Sequence, residues 1–108
     1  MMNDPVFVEA AQALGRRLMR EGGRSVAERA RWGLHLVLAR TPAEDQVQEL
    51  VKLYEGVRAD YQDREKDARR LATEPLGPLP DGMAPVEAAA WTAVANVLLN
   101  LDGVLSKS

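Results

Sequence analysis

Apolar residues recur at intervals of three and four along most of the chain, the spacing of one face of an α-helix. The pattern is densest from Pro85 to Leu105. There Val86, Ala90, Val94, Val97, Leu101 and Val104 share one narrow arc, which Trp91, Leu98 and Leu105 widen. The opposite side, with Ala88, Ala89, Thr92, Ala95, Asn96 and Leu99, is hardly polar, and no charge falls between Glu87 and Asp102. A helix that is apolar nearly all round is covered on several sides. The pattern therefore predicts a central helix over 85–105, with Trp91 as its packing anchor.

Three further helices are predicted before it. The first covers 5–21. Asp4 caps it, Pro5 takes the first position, where a missing N–H is harmless, and Gly22-Gly23 end it. Its inward stripe is Phe7, Ala11, Leu14 and Leu18, flanked by Val8, Gly15 and Met19, with Glu9, Gln12, Arg16 and Arg20 opposite. The second covers 26–40 and opens with the capping box Ser25-Val26-Ala27-Glu28. Val26, Ala30, Gly33 and Val37 face inward with Leu34 and Leu38, while Trp32 and Leu36, one turn apart, form a second apolar stripe. Gly33 in mid-helix costs about 1 kcal/mol in propensity, which predicts close approach of another helix there, under a Trp ring. His35 falls on the polar side near Glu28 and Arg31. The third helix covers 42–61, from a second capping box at Thr41-Pro42-Ala43-Glu44. Its seam is Ala43, Val47, Leu50, Tyr54, Val57 and Tyr61, joined by Leu53.

Two readings stand for the charged stretch 62–73. The seam can continue through Glu65, Ala68 and Ala72 as one long helix to Thr73, or Asp63 can cap a short fifth helix; a break near Asp63 is favoured. Residues 74–85 hold four of the six prolines. They predict an extended connector of polyproline character, with Leu76, Leu79 and Met83 able to lie on the helices. The expected fold is all-α: a small antiparallel bundle of four main helices, with a proline-rich connector before the last.

Composition adds limits more than chemistry. The 108 residues fit a single domain. There is no cysteine, which removes disulfides, thiolate metal sites and cysteine nucleophiles. The net charge of −2 argues against nucleic acid as the main partner. Charge is unevenly placed: residues 1–40 carry seven arginines against four acids, and residues 41–108 carry seven basic residues against twelve acids. Two solvated faces of opposite sign within one bundle account for this, with a basic docking surface as the alternative. No membrane span or signal peptide is expected.

The sequence carries no recognised catalytic or metal motif. There is no glycine-rich phosphate loop, no His-rich metal spacing and no HExxH. The single histidine lies away from the apolar faces, and the tyrosines read as core residues with wet hydroxyls. The polar group in the most apolar setting is Asn96, Asn100 and Asp102. It reads as a structural cluster bonded to neighbouring backbone or an arginine, with a ligand contact as the alternative.

Three stretches occur together: Asn3-Asp4-Pro5-Val6-Phe7-Val8-Glu9-Ala10-Ala11, then Arg40-Thr41-Pro42, then Ala89-Ala90-Trp91-Thr92-Ala93-Val94-Ala95-Asn96-Val97-Leu98-Leu99-Asn100-Leu101-Asp102. In this order and spacing the chain resembles the C-terminal part of the planctomycete cytochrome-c-associated proteins. Those large proteins join a haem c domain to two planctomycete-specific domains of unknown function. The chain departs from them at Gly103, where relatives usually carry an acid, and in lacking a proline after Asp63. The resemblance implies an excised domain or truncated reading frame of an exported parent. The haem-attachment motif would lie far upstream, so no cofactor is expected here.

Two functional readings follow. One is a non-catalytic packing or interaction domain whose partners are the upstream domains of its parent. The other is part of a ligand or active site completed by those domains, with Asn96, Asn100 and Asp102 as contributors. Trp32 and Leu36 are the candidate partner contact, either with upstream domains or in a two-fold homodimer. A competing account packs Trp32 under the connector, against Leu76 or Leu79.

Overall fold

The first helix begins where the sequence places it. Asp4 is extended and its Oδ1 accepts from the Val6 N–H at 2.8 Å, Pro5 sits in the first turn, and α1 runs Pro5–Glu21. Gly23, at φ 108°, turns the chain in a conformation that side chains oppose. A computed structural model describes the backbone of residues 4–38 and 40–107, and the side chains in that range up to Leu101. The remaining helices are α2 Val26–Val37, α3 Glu44–Tyr61, α4 Glu65–Thr73 and α5 Pro85–Lys107. The described residues form an all-helical fold with a radius of gyration of 13.0 Å, the size of a folded chain of about a hundred residues.

Four helix ends differ from expectation, and the simplest is α5, which runs to Lys107 and not 105. α2 stops at Val37 rather than residue 40, because Leu38 is already extended and closes the helix with its N–H on Leu34 O at 2.8 Å. The following Thr41-Pro42 opposes helix as well, since a residue before proline avoids the α conformation. α3 starts at Glu44, not 42. The expected box at Thr41 and Glu44 is replaced by a half-box two residues on, in which the Ala43 N–H donates to Gln46 Oε1 at 3.1 Å. Ala43 has no side-chain acceptor to complete it. The chain breaks after Tyr61, and the residue before α4 is Arg64, not Asp63. Arg64 reaches Asp60 at 3.5 Å and Asp67 at 3.4 Å and lies over the Tyr61 ring, so one guanidinium ties the two helix ends.

α5 touches each of the other four helices. Every residue from Ala88 to Thr92 is buried, as an apolar helix covered on several sides requires. Trp91 is the largest fully buried side chain, with the Tyr54 ring 4.7 Å away and tilted 38°. Val97, placed by periodicity in the inward arc, is instead exposed. The two interior glycines allow close packing. A Cβ on Gly15 would lie 3.1 Å from the α5 backbone at Trp91 and Thr92. A Cβ on Gly33 would strike Leu98 Cδ1 at 2.7 Å and Leu18 Cδ2 at 2.9 Å. The expected Trp ring over Gly33 is therefore a pair of leucines.

Candidate functional site

Trp32 and Leu36 lie on the outer side of α2. Trp32 is half-buried and packs at the edge of the core, while Leu36 is 45 % exposed. The Arg17 guanidinium sits 5.3 Å from the Trp32 ring centroid, and Arg17 itself pairs with Glu21 at 3.3 Å. Beside the indole is a surface depression of about 380 Å³ whose lining includes Gly22, Glu28, His35, Thr41 and Pro42. Its lining comes from α2 and the two links that flank it, and none of it from the connector. Arg31 stands at its rim, paired with Glu44 at 3.1 Å. Glu28 accepts from the backbone N–H groups of Ser25 and Arg24, at 2.9 and 3.1 Å. Those bonds hold its carboxyl below the usual carboxylate range.

The second set is less enclosed than its sequence implies. Asn96 and Asn100 are half-buried, and the Asp102 side chain lies outside the described residues. Asn96 lines a groove of about 420 Å³ with Val8, Ala11, Leu53, Leu71 and Val97, where α1, α3, α4 and α5 meet. The groove is apolar apart from Asn96 and Thr92, and Thr92 turns its hydroxyl back onto Ala88 O at 2.8 Å.

The fully buried amide is Gln12, which its polarity assigns to the solvent side of the first helix. Its Nε2 donates to Leu71 O and Glu74 O, both at 2.7 Å, and its Oε1 accepts from the Leu76 N–H at 3.1 Å. One turn further on, Arg16 Nη2 donates to Ala72 O at 3.2 Å and to Gly77 O. Burial, and then the nearby Arg20 charge, lowers the Arg16 pKa from its ordinary value. The signal for Gln12 was present in the sequence. It falls four residues after Val8 and three before Gly15, in the middle of the flanking stripe.

A third cluster surrounds Trp91. Arg29 Cζ lies 5.9 Å from its ring centroid and donates its Nε to Gly23 O at 3.0 Å. The Tyr54 pKa is raised by burial first and then by the Glu87 charge. The Trp91 indole N–H and the Arg16 Nε are buried without a hydrogen-bond partner among the described residues.

Among the described residues no group of three or more His, Asp or Glu side chains could hold a metal ion. No helix in that range is long and apolar enough to cross a membrane. The class defined by the fold is an all-helical protein organised about one central helix. Comparison with family models, curated proteins and solved structures yields no match.

Proposed function

We propose that the chain is a non-catalytic helical packing and interaction module, the C-terminal part of a protein of the planctomycete cytochrome-c-associated type. The observation that carries the module reading is the destination of its interior polar groups. Gln12, Arg16 and Thr92 all bond to backbone of the same chain. Such bonding holds a fold together rather than acting on a substrate. The short links at 22–25 and 38–43 favour an antiparallel order for α1, α2 and α3. The parentage rests on the three sequence stretches that resemble those proteins. In this reading the Trp32–Leu36 edge is the surface met by the upstream domains.

Two measurements test it. The genomic sequence directly upstream should continue in frame to a haem-attachment motif, and an in-frame stop there overturns the parentage. Calorimetric titration with the separately expressed upstream segment should give a heat of binding that Trp32→Glu removes. Absence of heat with the wild type defeats the interaction role. The second reading draws on the groove that Asn96 lines. Under it Asn96, Asn100 and Asp102 contribute to a ligand site completed by upstream domains, and Asn96→Ala, not Trp32→Glu, would change what the assembled protein binds.

A further inference from the structure

α4 is held differently from the other helices. Its only fully buried side chains are Ala68 and Ala72. These two, with Ala88 and Ala89 of α5, stand apart from the main core cluster, which draws Leu34, Val47, Leu50 and Tyr54 from α2 and α3. An alanine removes little apolar area from water and Leu71 is only partly buried, so hydrophobic attachment of α4 is small. No side chain caps its first turn. The connector beyond it has prolines at 75, 78 and 80, which donate no backbone bonds, and turns at Gly77 (φ 124°) and Gly82 (φ 89°).

The attachment is instead polar and concentrated on one turn of α1. Gln12 holds Leu71 O, Glu74 O and the Leu76 N–H, and Arg16 holds Ala72 O and Gly77 O. Five backbone groups between 71 and 77 thus depend on two side chains. We propose that α4 and the connector form a strap that opens as one unit from α1 and α5, with Gln12 and Arg16 as its latch. Opening returns those five backbone groups to water, which can satisfy them, and leaves the core of α1, α2, α3 and α5 packed. Units of low local stability behave in this way. Leu71 forms part of the wall of the groove that Asn96 lines, so opening also widens that groove and uncovers the alanine face of α5.

Native-state hydrogen exchange on the intact chain at low denaturant tests the strap. The amides of Ala68 to Thr73, Glu74, Leu76 and Gly77 should share one opening, with a denaturant slope smaller than that of Leu18, Val94 and Leu98. Gln12→Met keeps the length and flexibility of the side chain but removes three bonds. It should speed exchange across the whole segment by about tenfold or more while core amides move far less. Arg16→Met should act in the same direction and serves if Gln12→Met does not fold. Exchange of 68–77 only through global unfolding in the wild type overturns the proposal. So does an effect of the variants confined to the Leu76 amide, or spread equally over strap and core.

Discussion

Glycines in these helices carry the same propensity penalty but face different surroundings, so one substitution should have opposite signs at two sites. Gly56 lies on the exposed side of α3 with nothing within 4 Å of a Cβ placed there. Gly56→Ala should stabilise the protein by about 1 kcal/mol. Gly15 gains the same propensity term, yet its Cβ would meet backbone atoms of α5 at 3.1 and 3.2 Å. Backbone cannot rotate aside, so α1 and α5 must separate. Overpacking of this kind costs about 1–3 kcal/mol, and Gly15→Ala should be net destabilising. Denaturant midpoints of the two variants check this, and an equal rise in both would show that the α1–α5 contact is looser than its geometry. Gly33 was legible in the sequence as a close approach, but its partners were not. Periodicity says that a face is crowded without saying which neighbour crowds it. Gln12 shows the opposite limit. Its position in the middle of a buried flank was readable, yet polarity alone assigned it to solvent, because its partners are backbone groups about sixty residues away.

At the level of the element, helix ends were legible where the capping side chain lies next to its target. Both sides of the α2 box form, with Ser25 Oγ accepting from the Glu28 N–H at 3.0 Å and Glu28 accepting from the Ser25 N–H at 2.9 Å. At α3 the expected box failed. Glu44 is drawn across to Arg31, and Gln46 takes the capping role two residues later. Ala43 has no side-chain acceptor, so no capping pattern in the sequence marks the end adopted, and a contact with α2 accompanies it. The α2 box also sets a pH dependence. Glu28 has its folded pKa lowered, chiefly by the Ser25 backbone N–H. A depressed carboxylate contributes stability that is present above its unfolded value, about 4.3, and is lost as pH falls through the folded value. The Glu28 side-chain resonance should therefore titrate below the ordinary glutamate range. Glu28→Gln keeps the acceptor and should flatten the acid dependence of α2. A Glu28 midpoint at the ordinary value would show that the box is not held in solution.

For the whole molecule, the all-helical class, the central α5 and the break near residue 63 were legible because each rests on local pattern. The seating of the connector was not, because it depends on the latch from α1. The connector's polar contacts go to Gln12 and Arg16, and the depression beside Trp32 is built from α2 and its flanking links. Trp32 and Leu36 thus form an apolar edge on α2, with Trp32 partly buried against the core and Leu36 45 % exposed. Such edges tend to find partners. For the 108-residue chain by itself, the expected partner is a second copy related by a two-fold axis. Light scattering should then give a mass about twice 11.9 kDa for the wild type. Trp32→Glu should return it to the mass of a single chain with its helical circular dichroism intact. Charge adds a second signature. The arginines beside this edge are paired, Arg17 with Glu21 and Arg31 with Glu44, so an apolar contact through α2 should change little as ionic strength rises. A dimer that weakens with salt would instead pair the basic half of one copy with the acidic half of another. A wild type of single-chain mass would remove the dimer and leave the Trp32–Leu36 edge to the partner proposed above.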